Sequence, residues 1–158
     1  MSLKFCAAVL LFGATLSAAV AGTVPCPDLS AAVQVAACPT EEDLKFTFNG
    51  FCSDNARMYS KDTEVCTDYQ RYRQLKNVAL WESRDGVFQA YVSCDLPAAR
   101  VKEARASAIA VAKKGGITQV VCTYREGVVF TNRTREQCAV DAKASCATDP
   151  ASCVANCE

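Results

Sequence analysis

The run Val78-Ala79-Leu80-Trp81-Glu82-Ser83-Arg84-Asp85-Gly86-Val87-Phe88-Gln89-Ala90-Tyr91-Val92-Ser93-Cys94 decides the fold class. Val78 to Glu82 is compact and apolar. Ser83-Arg84-Asp85-Gly86 has turn composition. Val87 to Cys94 then alternates, with Phe88, Ala90 and Val92 on one face and Val87, Gln89 and Tyr91 on the other. Period-two alternation places successive side chains on opposite faces of a strand. Asp-Gly between two such runs is a strong local hairpin signal, because glycine supplies the positive φ the turn needs.

A second hairpin lies downstream, Ile117 to Tyr124, then a turn at Arg125-Glu126-Gly127, then Val128 to Thr134. Between the two, Pro97 suits a helix start. Val101, Ala104, Ala108 and Val111 or Ala112 fall on one helical face, and Gly115-Gly116 reads as its stop. The segment is therefore expected to be a helix running from Pro97 to Lys114. Hairpin, helix, hairpin predicts an α+β fold, a ββαββ-like core of antiparallel strands with helices on one face. The two turns, Arg84-Asp85-Gly86-Val87 and Arg125-Glu126-Gly127-Val128, are alike enough to raise a distant duplication.

Upstream, Leu29, Ala32, Val33 and Ala36 share a helical face behind Asp28, which predicts a short helix over 28–37 that Pro39 ends. Leu44, Phe46 and Phe48 alternate with polar residues, which favours a strand ending at Asn49-Gly50. The same stretch also fits a helix started by Thr40 with Asp43 three residues on. Residues 63–76 read as one amphipathic helix, with Val65, Tyr69, Tyr72 and Leu75 on a face and a charge order that suits the helix dipole. Residues 139–158 form a Cys-rich C-terminal tail with few large apolar groups, predicted to be held by disulfides and not by packing.

The chain starts with one positive residue, Lys4, an apolar run from Phe5 to Gly13, and small residues ending in Ala19-Val20-Ala21. These are the three parts of a secretory signal peptide, expected to be removed after Ala21. The run is too short and too interrupted to span a bilayer. Residues 22–158 are then one disulfide-stapled domain, placed in the extracellular space or a bacterial periplasm, with no transmembrane segment in the mature chain. Of 17 basic and 17 acidic residues only Lys4 leaves with the signal, so the mature balance is near neutral. That argues against bulk attraction to nucleic acid or anionic lipid.

Eleven cysteines are present, and Cys6 lies in the signal. The other ten, Cys26, Cys38, Cys52, Cys66, Cys94, Cys122, Cys138, Cys146, Cys153 and Cys157, make an even set in an oxidising compartment, read as five disulfides of undetermined connectivity. Zinc is the competing reading. It is disfavoured because the chain has no histidine and no Cys-x-x-Cys pair.

The same absence of histidine removes every Ser–His and Cys–His catalytic pair. Lys113-Lys114-Gly115-Gly116 has the wrong order for a phosphate loop, and no cofactor is implied. Paired-carboxylate hydrolysis would have to use Glu82, Asp85, Asp95 or Glu126, acids at or near turns. Tyr69-Gln70-Arg71-Tyr72-Arg73-Gln74-Leu75-Lys76 mixes aromatics with bases, a pattern that also describes an ordinary amphipathic helix. Asn132-Arg133-Thr134 is a glycosylation triplet. Gln119-Val120-Val121 resembles the inhibitory hairpin tripeptide of the cystatin-like protease inhibitors. Cys122-Thr123 stand where that loop places glycine, and no later Pro-Trp hairpin follows, so nothing is carried over.

The reading is a non-catalytic interaction protein, an inhibitor, effector or binding factor, with a protein or glycan partner outside the cytoplasm. The alternatives are a small secreted hydrolase using carboxylates and a structural component of an envelope or extracellular assembly. The binding residues nominated are those at the hairpin turns, Trp81, Arg84, Asp85, Arg125 and Glu126, since turn tips on a rigid scaffold commonly carry recognition.

Overall fold

The structure is a computed structural model that describes residues 22–142 and 144–158. The expected signal segment lies outside the described residues. The described residues form two antiparallel sheets and four α-helices, an α+β fold. Strands are β1 (Gly22–Pro25), β2 (Val33–Gln34), β3 (Val78–Glu82), β4 (Gln89–Ser93), β5 (Ala106–Lys114), β6 (Ile117–Tyr124), β7 (Val129–Thr134), β8 (Cys138–Val140) and β9 (Val154–Cys157). Helices are α1 (Glu41–Cys52), α2 (Thr63–Thr67), α3 (Tyr69–Lys76) and α4 (Ala98–Glu103). The large sheet runs β2-β3-β4-β7-β6-β5 and the small one β1-β9-β8.

Both expected hairpins form. Leu80 pairs with Tyr91 and Trp81 with Ala90 in the first, and Cys122 with Phe130 in the second. They join side by side where Gln89 meets Thr131. Alternation then sorts the side chains. Ala79, Trp81, Phe88, Ala90, Val92, Val120, Cys122, Tyr124, Val128 and Phe130 turn inward and are buried. The inner face is covered by α4 (Val101, Ala104), by Leu29 and Ala32, and by Ala155 and Cys157 of the small sheet. Tyr124 donates its hydroxyl to the Pro27 carbonyl at 2.6 Å, which satisfies the polar end of a buried ring.

Four local expectations are corrected. The helix expected from Pro97 to Lys114 stops at Glu103, and β5 begins at Ala106. Alanine fits either period. The β-branched Ile109 and Val111 alternate, and pairing with β6 decides the state. Gly115, at φ +62, turns the β5–β6 hairpin and does not end a helix. The strand expected over 44–48 is instead α1. Thr40 and Asp43 form a complete capping box, Leu44 is buried, and Phe46 points outward at 79% exposure. The helix expected over 28–37 is a single 3-10 turn at Leu29–Ala31, capped by Asp28 through the Ser30 N–H, before the edge strand β2. The helix over 63–76 is broken at Asp68, whose side chain caps α3 through the Gln70 N–H.

The tail, expected to be held by disulfides alone, contributes β8 and β9, and β9 pairs with β1 from Gly22 to Pro25. The ten cysteines form five disulfides. Cys26–Cys122 ties β1 to β6, and Cys38–Cys94 ties the approach to α1 to the end of β4. Cys52–Cys66 closes α1 on α2, Cys138–Cys157 bridges β8 to β9, and Cys146–Cys153 closes a loop in the tail. Of the described α-helices, only α4 lies on the inner face. Helices α1 to α3 form a lobe with its own aromatic cluster, Phe48, Phe51, Tyr69 and Tyr72. No residue of that lobe joins the buried cluster between the sheets.

Candidate functional site: the turns and the open face of the large sheet

The registers place the two nominated turns at opposite ends of the sheet. β4 begins at the Ser83–Val87 turn, β7 begins at the Arg125–Gly127 turn, and β4 and β7 are antiparallel. The two turns therefore do not combine into one surface at a single end of the sheet. At the first turn, the Ser83 hydroxyl donates to Asp85 at 2.5 Å and Asp85 also accepts from the Val87 N–H. The Gly86 N–H bonds to the Ser83 carbonyl, with Gly86 at φ +73. Asp85 is thus a turn former, and its hydrogen bond from Ser83 holds its carboxyl below the usual range. Arg84 is exposed and, among the described residues, forms no ion pair. It borders a shallow groove of about 560 Å³ with Pro27, Asp28, Ser30 and Ala31.

At the second turn Glu126 takes φ +64, a conformation costly for a residue with a Cβ. Arg100 of α4 forms an ion pair with its carboxylate, which lifts the arginine's pKa further above its ordinary value. Arg125 is exposed, and its backbone N–H bonds to the Arg105 carbonyl. Trp81 is 4% exposed and belongs to the core, so it offers no recognition surface. Of the five nominated residues, Arg84 and Arg125 are left as free charged tips.

The carboxylates proposed for hydrolysis are each engaged. Glu82 accepts from Gln89 at 2.9 Å, Asp85 from Ser83, and Glu126 from Arg100. Asp95 receives a two-pronged contact from Arg73 at 2.9 and 3.0 Å and a further bond from Asn77 at 3.0 Å. The Arg73 contact keeps the Asp95 carboxyl below its usual range. A general acid needs the reverse shift. Arg73 also reaches Glu41, which accepts from the Tyr69 hydroxyl at 2.7 Å. Desolvation and that carboxylate push the Tyr69 pKa up to about 12. The Arg73 network therefore docks the helical lobe on the loop after β4. The Tyr69–Lys76 segment resolves the same way: Tyr72 is buried, Tyr69 and Arg73 serve this network, and Leu75 is exposed. Among the described residues no group of three acidic, cysteine or histidine side chains gathers as a metal site. Asn132 lies within β7, opposite Val120.

What the turn-centred reading missed is the outer face of the large sheet. Following the strand registers, Val35 just beyond β2, then Leu80, Tyr91, Val129, Thr123 and Ala108 form one row across the sheet. Tyr91 is 74% exposed, and Val35 and Val129 are exposed as well. The next row carries the exposed Val33 and the hydrogen-bonded pair of Glu82 with Gln89. The signal was present in the alternation of 87–94, whose second face, Val87, Gln89 and Tyr91, is apolar at two positions of three. Gln119 to Val121 lie mid-strand in β6, not on a loop. No family model, curated protein or solved structure matches this chain.

Proposed function

We propose that this is a secreted or periplasmic interaction protein that binds another protein through the outer face of its large sheet. The observation that carries the reading is the exposed apolar row around Tyr91 on a sheet fixed by disulfides at β4 and β6. A contiguous apolar patch on a rigid surface is characteristic of a protein contact, with an aromatic near its centre as the natural anchor. The row carries no net charge cluster, which favours a protein surface over a polyanion. Five disulfides fit an oxidising compartment, and among the described residues no helix is long and apolar enough to cross a membrane. Arg84 and Arg125 are proposed as rim contacts.

The test is affinity measurement on a partner captured by the oxidised protein. Tyr91→Asp, at an exposed position, leaves the fold intact and weakens binding by about 2 kcal/mol, roughly thirtyfold. Unchanged affinity in the Tyr91→Asp protein would move the contact elsewhere and overturn the reading. The hydrolase alternative is separated by single amide changes at Glu82, Asp85, Asp95 and Glu126. Loss of a turnover through one of these, with the fold retained, establishes the enzyme instead.

A further inference from the structure

Strand β5 ends the large sheet, and its free edge is long. It spans Ala106-Ser107-Ala108-Ile109-Ala110-Val111-Ala112-Lys113-Lys114, nine residues with no proline and no charge before Lys113. Natural edges are usually shortened, charged or covered, because a bare edge offers a row of unpaired backbone groups to another strand.

The phase of those groups follows from the neighbouring ladders. The Tyr124 N–H donates to the Val128 carbonyl, so the Tyr124 backbone faces β7. Alternation turns Thr123, Val121 and Gln119 toward β5, where they meet Ala108, Ala110 and Ala112. The Ser107 hydroxyl donates to the Thr123 carbonyl, in agreement. The N–H and C=O groups of Ile109, Val111 and Lys113 therefore point away from the sheet, and among the described residues no backbone bond reaches them.

We propose that this edge pairs with the same edge of a second copy, antiparallel and centred on Ala110, to give one twelve-stranded sheet across a two-fold axis. The register argues for a second copy of this chain. Centring on Ala110 sets Ile109 opposite Val111 of the second copy, both on the inner face, and their outward N–H and C=O groups form the hydrogen-bonded pairs of the new ladder. Ala108 meets Ala112 on the outer face, where small side chains leave the junction flat. Lys113 and Lys114 fall opposite Ser107 and Ala106, so neither lysine faces a like charge directly across the ladder. Centring on Val111 would instead set Ile109 against Lys113. A self-complementary patch of this kind is what a closed two-fold dimer requires. The proposal does not depend on what the outer face binds.

The oxidised protein is measured by analytical ultracentrifugation up to about 1 mM, because a single edge-to-edge ladder is a small interface. Wild type is expected to pass from one to two chain masses with concentration. Ala110 is exposed, so Ala110→Lys and Ala110→Glu keep the fold and are expected to be monomeric, each bringing like charges together at the axis. Mixing the two variants is expected to restore the dimer. Amide exchange supplies the residue-level readout. Ile109 and Val111 are slow in concentrated wild type and fast in Ala110→Lys, while Ala110 and Ala112, bonded to β6, stay slow in both. A wild type that is monomeric at every concentration overturns the proposal. So do an Ala110→Lys protein that still dimerises, and a mixture of variants that fails to pair.

Discussion

Single residues show how the same side-chain types serve structure at one position and exposure at another. Trp81 and Tyr91 lie on adjacent strands, yet one residue of register decides that the first is core and the second is surface. Asp28, Glu41, Asp43, Asp85 and Asp95 all accept hydrogen bonds, led respectively by the Ser30 backbone, Tyr69, Thr40, Ser83 and Arg73. Each is held below its ordinary pKa. A carboxyl with a depressed folded-state pKa favours the folded state above its unfolded pKa, near 4, and that contribution is lost as pH falls through the folded value. Denaturation midpoints are therefore expected to be flat from about pH 5 to 8, where the chain has no histidine to titrate, and to drop below about pH 4. Urea titrations across that range check it, and Arg73→Met raises the Asp95 pKa in carbonyl-detected NMR. An Asp95 titration unmoved by Arg73→Met removes the ion pair as the cause.

Elements were legible from sequence where one period had no rival. The first hairpin was plain because a compact apolar run and an alternating run flank an Asp-Gly turn. The segment 98–114 was not, since Ala104, Ala108 and Ala112 satisfy a helical stripe while Ile109 and Val111 satisfy a strand, and only β6 decides between them. α1 carried both signals. The capping box won because the Thr40 hydroxyl accepts from the Asp43 N–H at 3.1 Å while the Asp43 carboxylate accepts from the Thr40 N–H at 3.0 Å. Two otherwise orphaned donors are satisfied this way, whereas a strand at 44–48 has no described neighbour. Thr40→Ala is expected to lower stability by about 1 kcal/mol, with enhanced amide exchange confined to the first turn of α1, as read by NMR. An unchanged midpoint would show that tertiary contacts alone define this helix end.

At the scale of the whole molecule, the disulfides divide by reach. Cys26–Cys122 closes 96 residues and Cys52–Cys66 only 14. In the chain-entropy picture these are worth about 4.7 and 3 kcal/mol, and the long bridge also holds the small sheet over the inner face. Replacing both Cys26 and Cys122 by Ala is expected to cost about 2–5 kcal/mol and to loosen β1 and β9. Replacing Cys52 and Cys66 costs less and stays within the helical lobe, a contrast that thermal melts and exchange maps of the two variants resolve. Equal losses from the two pairs would mean that loop length does not govern the difference. From the sequence alone came the α+β class, the two hairpins and the ten-cysteine staple, because each rests on local periodicity, turn chemistry or counting. The cysteine pairing, the strand state of β5, the opposite placement of the two turns and the open row around Tyr91 were decided only by tertiary structure. Each depends on which strand lies beside which, and that is a property of long-range pairing that no local window of residues contains.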